Sequence, residues 1–157
     1  MSIQSLSMTS DLILVSEEAV SRKELLNKLS RLLHSKGYVK SSFEEAVIQR
    51  EDQYPTGLQT RITGVAIPHA DSEHVEKSAL AVATLKHPVQ FRAMDNPDNI
   101  IDVNIVIMMA IKKSEDQVLM LQQLMGVLQN DAALKKILNA TEAEAIHDTL
   151  KEVIFSN

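Results

Sequence analysis

Apolar residues in this chain recur at two spacings, and the switch between them marks its elements. After Ser21, Leu25, Leu26, Leu29, Leu32 and Leu33 share one helical face, and Gly37 stands where a left-handed cap would end the helix. A short helix after Ser42 carries Ala46, Val47 and Ile48 and should reach Arg50 or Glu51. After Ser114, the stripe Val118, Leu121, Leu124, Met125 and Leu128 predicts a long helix, followed by helices over Asp131–Leu138 and Thr141–Val153. Four Ser/Thr-x-x-Glu/Gln patterns, opening at Ser21, Ser42, Ser114 and Thr141, read as capping boxes at helix starts.

Between these stretches the pattern shortens. Asp11–Val15, Gly64–Ile67, Ser78–Leu85, Val89–Phe91 and Val103–Ile111 are strand candidates, the second stopped by Pro68. The last is rich in Val, Ile and Met with almost no polar interruption, which suits a strand buried on both faces. The order is strand, two helices, four strands, three helices. Consecutive strands in the middle argue for a mixed sheet. The expected fold is α/β, a single domain over residues 1–157, with a mixed β-sheet flanked by helices on both faces.

Composition then removes whole classes of function. The chain has 157 residues and no cysteine, so thiol nucleophiles, Cys-based zinc sites and disulfide scaffolds are out. Aromatics are 3% and tryptophan is absent, which leaves little with which to stack nucleic-acid bases. The net charge is −5, without a Lys/Arg block, so no nucleic-acid partner is expected. The start MSIQSLSMTS lacks a cationic and apolar leader, and the longest apolar run, Ile105–Ile111, is far short of a bilayer span. A cytoplasmic location is the expectation.

The window Arg50–His74 holds the chemistry. It contains no Walker loop, dinucleotide fingerprint, nucleophile elbow or zincin motif. Instead, Ile67-Pro68-His69 ends a buried strand. Pro68 cannot donate to a ladder, so His69 emerges on a stiffened backbone, a good setting for a nucleophile or proton shuttle. His69 could equally be an ordinary hydrogen-bonded histidine. His69, Asp71, Glu73 and His74 also offer zinc-type ligands, but the two histidines are five apart and no regular element converges them, so neither metal nor cofactor is expected.

The combination Arg50-Glu51, Thr56 and Gly64-Val65-Ala66-Ile67-Pro68-His69 resembles the phosphorylation site of the enzyme IIA domains of the bacterial sugar phosphotransferase system, fructose/mannitol class. Pro55-Thr56-Gly57 and His74 are most similar to the galactitol-specific branch. The resemblance implies a phosphocarrier, a transferase component that takes a phosphoryl group from the histidine phosphocarrier protein HPr onto His69. It would then pass the group to a IIB component, of phosphocysteine type, for uptake of galactitol or a related polyol. The membrane IIC component would be met only indirectly. Paralogues of the fold act instead as regulatory, phosphorylation-dependent binding modules, and His69 does not separate the two.

Roles follow from the resemblance for the neighbours of His69. Arg50 would set a planar fork of donors against the phosphoryl oxygens, or else meet the dipole at its helix end. Thr56 would offer a hydroxyl to the phosphoryl group, or else serve a Pro-Thr-Gly turn. Glu51 would position Arg50 or cap locally. Many family members carry a second histidine where this chain has Gln117. Gln117 would donate to a phosphoryl oxygen, or close the Ser114 capping box, or both. His74 is the other stand-in for that histidine, unless it is a solvated loop residue.

Overall fold

The computed structural model describes residues 6–155. The first half of the MSIQSLSMTS start, and both ends of the expected domain span, lie outside the described residues. The elements are β1 (Ile13–Glu17), α1 (Arg22–Ser35), α2 (Phe43–Gln53), β2 (Gly57–Gln59), β3 (Gly64–Ala66), β4 (Ala79–Arg92), β5 (Ile100–Ala110), α3 (Ser114–Leu128), α4 (Asp131–Asn139) and α5 (Ala143–Ile154).

The strands form one mixed five-stranded sheet in the order β1-β4-β5-β3-β2. β1 runs parallel to β4 and β3 parallel to β5, while β4–β5 and β2–β3 are antiparallel. Period-two alternation sorts the side chains. Ala79, Ala81, Ala83 and Phe91 of β4 and Met108 of β5 face a core closed by Leu25, Leu26, Leu29 and Leu33 of α1 and Phe43 and Val47 of α2. Leu80 and Val82, with Val65, Ile105, Ile107 and Met109, face a second core closed by α3, α4 and α5 through Met120, Leu124, Leu134, Ile146 and Leu150. The expected α/β architecture, with helices on both faces, is the one observed. Within β5 the inward face flips between Val103 and Ile105, where β3 also changes register.

Several local expectations are corrected. The four predicted middle strands are not the four found: β2 is an unforeseen short strand, and the two candidates at 78–85 and 89–91 are one strand with a bulge between Thr84 and Val89. Asp11 and Leu12, read as the start of a strand, belong to a 3₁₀ turn over Ser10–Leu12 ahead of β1. Of the four capping boxes, only the first caps with its side chain: Ser21 accepts from the Glu24 N–H at 3.2 Å. Its Glu24 carboxylate takes the Val20 N–H at 3.4 Å, one residue before the expected partner. Ser42, Lys113 and Glu142 occupy the other N-cap positions without a side-chain cap bond, so Ser114 and Thr141 are not caps. An unforeseen cap is Asn130, accepting from the Ala133 N–H at 2.9 Å. Gly37, at φ +83°, ends α1 in a Schellman arrangement, with Gly37 N–H on His34 O and Tyr38 N–H on Leu33 O.

Candidate functional site

The site is built where β3 runs out. β3 is squeezed between β2 and β5, and Gly64 is why it fits: a Cβ there would lie 2.1 Å from the Asp102 carbonyl oxygen. The chain continues through Ile67 and Pro68 beside β5, where the Met109 N–H donates to the Pro68 carbonyl at 3.0 Å and His69 bridges to Met109. His69 is held on this rail at 9% exposure.

The orientation of the imidazole follows from one contact. Nδ1 lies 3.0 Å from the Ile67 carbonyl oxygen, an acceptor only, so Nδ1 carries the proton and donates it. Nε2 is left with its lone pair. Burial pushes the His69 pKa below the ordinary histidine value, and the Arg50 charge adds to that; the Ile67 contact and Asp71 oppose it. The ring is therefore neutral at pH 7, with a nucleophilic nitrogen.

Arg50 and Glu51 sit in the last turn of α2 and point to different surroundings. The Arg50 guanidinium lies 3.4 Å from Asp71 Oδ1 and 5.6 Å from the centre of the exposed Tyr54 ring. Its Nε is shut off from solvent and has no hydrogen-bond partner among the described residues. Such a donor is costly to leave unmet. Arg50, Asp71 and His74 line a cleft of about 300 Å³ with Tyr54 and Ala70. His74 is turned within it by Ser42, whose Oγ lies 2.8 Å from His74 Nδ1. That contact also explains why the Ser42 hydroxyl does not cap α2.

Glu51 is 3% exposed and does not position Arg50. Among the described residues its two carboxylate oxygens accept from Thr56 alone, Oε2 from the N–H at 2.7 Å and Oε1 from the hydroxyl at 2.8 Å. The Thr56 oxygen in turn accepts the Ile67 N–H at 3.1 Å. Thr56 is thus placed behind the strand end, with its hydroxyl proton committed to Glu51. Burial lifts the Glu51 pKa to about 7, against the lowering effect of the two Thr56 bonds.

Gln117 comes to the site from α3. Its Nε2 donates to the Ala70 carbonyl at 3.0 Å, next to His69, and Ser114 meets Ser72 at 3.0 Å. The first turn of α3 is tied to residues 70–72 in this way, and Gln117 is no capping partner. The histidine–carboxylate set at 69–74 does not converge. Among the described residues, the set that does is Glu144, His147 and Asp148 on the surface of α5. Sequence reasoning missed Asp71 and Tyr54 as partners of Arg50, and it missed the burial of Glu51. The one available signal for the last was a carboxylate four residues before a Pro-Thr pair.

A neutral histidine thus stands at the end of an interior strand, near an arginine with an unmet donor, and the chain as a whole belongs to a family of group-transfer domains. The family described as phosphoenolpyruvate-dependent sugar phosphotransferase system, EIIA 2, matches residues 7–153, which makes this chain an EIIA component of the fructose/mannitol class. The galactitol-specific EIIA component of Escherichia coli K12 is 28% identical over 138 residues, covering 88% of this chain and 91% of the relative. The transcriptional regulator ManR of Bacillus subtilis is 34% identical over 106 residues, 68% of this chain but 15% of ManR. The Escherichia coli mannitol enzyme IIA, solved in complex with phosphorylated enzyme IIB, shares the fold at TM-score 0.74 and 20% identity, covering 97% of this chain and 99% of that one. Among the described residues no helix is long and apolar enough to cross a membrane.

Proposed function

We propose that His69 accepts a phosphoryl group on Nε2 from phosphorylated HPr and hands it to a cysteine of a IIB component, in the cytoplasm, for uptake of galactitol or a related polyol. The observation that supports the reading is the Nδ1 contact with the Ile67 carbonyl, which leaves the Nε2 lone pair available. In the first step the Nε2 lone pair forms the new N–P bond. The donor nitrogen keeps the electron pair of the N–P bond that breaks. The Nδ1 proton stays on His69, where the Ile67 carbonyl stabilises the positive ring. Phosphoryl transfer of this kind asks for alignment and charge more than for covalent help. Arg50 supplies both by releasing Asp71 and turning its fork to the phosphoryl oxygens. Gln117, bonded to the Ala70 carbonyl, and His74, in the cleft, orient the group. The second step repeats the exchange, with the thiolate of IIB as the incoming group.

Incubation with phosphoenolpyruvate, enzyme I and HPr, followed by peptide mapping, tests this. One acid-labile phosphoryl group is expected on His69. His69→Ala should abolish it with the fold intact; undiminished labelling of that variant overturns the assignment. The ManR match supports a second reading, a module whose phosphorylation regulates binding to another protein. The phosphorylated chain would then keep its group when purified IIB is added.

A further inference from the structure

The proposed reaction leaves Glu51 without a task, although it is a buried carboxylate bonded through both oxygens. The antiparallel register Gly57↔Ala66, continued by one residue, sets Thr56 across from Ile67. There the ladder stops. The Thr56 N–H turns to Glu51, and the Ile67 N–H is taken by the Thr56 hydroxyl oxygen instead of by main chain. Pro68 has no N–H, so residues 67 and 68 offer three polar main-chain atoms. Ile67 N–H is held by Thr56, Pro68 O by Met109, and Ile67 O is the acceptor for His69. A hydroxyl that accepts from Ile67 must send its own proton elsewhere, and Glu51 Oε1 receives it at 2.8 Å. Every bond in the series then has a fixed direction: Nδ1–H to Ile67 O, Ile67 N–H to Thr56 Oγ1, Thr56 O–H to Glu51. Thr56 presents two donors to two separate oxygens, a demand that one carboxylate meets and one carboxamide does not.

We propose that Glu51 is a positioning residue for the nucleophile: by accepting both Thr56 protons it locks the Ile67 main chain, which keeps the Nδ1 proton of His69 inward and Nε2 outward. This rests on the reading of His69 as the phosphoryl acceptor. Glu51 touches neither the ring nor the transferring group.

The test compares the unaltered protein with Glu51→Gln, Thr56→Val and Thr56→Ser, by ¹⁵N spectra of the histidine rings without donor and by initial rates of labelling through HPr. The unaltered protein should show His69 with Nδ1 protonated. Thr56→Ser keeps the hydroxyl and should stay within twofold of its rate. Glu51→Gln and Thr56→Val should mix the two ring tautomers and lower the rate at least tenfold, with amide spectra native elsewhere. Native tautomer and rates within twofold in those two variants would overturn the proposal. The unaltered protein offers a check that no folding defect can obscure. The Thr56 hydroxyl proton should exchange slowly and show contacts to the Ile67 amide, and a freely exchanging hydroxyl overturns it too. Absence of labelling in the unaltered protein strikes the acceptor reading alone; the ring spectra still decide for or against Glu51.

Discussion

His69 has a back and a front, and they are made differently. Behind the ring, Glu51, Thr56 and Ile67 are 3%, 3% and 0% exposed and joined by bonds of 2.7–3.1 Å. In front, Arg50 meets Asp71 at 3.4 Å, with side chains 36% and 69% exposed. A dry, fully bonded network is costly to disturb, because each broken bond strands a buried group. An exposed ion pair is worth roughly 0–1 kcal/mol and can be exchanged at little cost. The difference suits the proposed transfer, in which a nucleophilic His69 would stay put while the cation beside it changes partners. Stability should therefore depend on the back and transfer rate on the front.

The hardest blow to the back is Gly64→Ala. The new Cβ meets a backbone carbonyl that cannot turn away, so about 3 kcal/mol of stability should be lost in urea melts. A loss under about 0.5 kcal/mol would mean that β3 is not held as tightly as described.

A second test reads the back through pH. The folded-state pKa of Glu51 is lifted from 4.5 to about 7. Between these values the folded protein binds a proton that the unfolded chain has released, so Glu51 lowers stability progressively as pH rises from about 4.5 to about 7. His69 acts in the opposite sense: its depressed pKa adds stability as pH rises toward the unfolded histidine value of about 6.5. Subtracting the melts of Glu51→Gln from those of the unaltered protein removes the His69 contribution. Relative to the unaltered protein the variant should gain about 2 kcal/mol between pH 5 and 7.5, then level off. A flat difference would show that the carboxylate is not destabilised by burial.

At the front, Arg50→Lys should melt normally yet transfer about tenfold more slowly in single turnovers, since a point charge lacks the planar fork. An unchanged rate would reduce Arg50 to a helix-end charge. The smallest expected effect is that of Gln117→Ala. It loses the bond to Ala70 for about 0.5–1 kcal/mol and should slow transfer several-fold. An early melt with undiminished transfer would make Gln117 only a tether for α3.

How much of this was legible in the chain depended on how local each cause was. The leucine stripe of α1 and its Gly37 stop were readable, because both answer to neighbours within a few turns. So was the site window, whose Gly, Pro and His each mark a main-chain requirement. The capping boxes at Ser42 and Ser114 misled because their hydroxyls found tertiary partners, His74 and Ser72, that no local pattern encodes. β2 is three residues whose extended form is imposed by β3. The interruption in β4 came from the exposed Lys86-His87-Pro88, a bulge that splits the apolar run but not the strand. Gln117 was placed at the site by resemblance, and its side chain bonds the carbonyl of Ala70, the residue after His69. The burial of Glu51 was hidden, since an Arg-Glu pair at a helix end looks solvated in either case.

The order of the strands also sets a timetable. β3 has only β2 and β5 for neighbours, and β5 ends 41 residues after His69. At roughly 5–20 residues per second, the ribosome therefore finishes the histidine seconds before it finishes the strand that seats it. Through that interval the segment carrying Pro68 has no Met109 to rest on, and Ala70 has no Gln117. A chain stalled before β5 would hold every residue of the Arg50–His74 window without the strand that seats it. The proposed carrier becomes competent only after β5 and the first turn of α3 have followed His69 out.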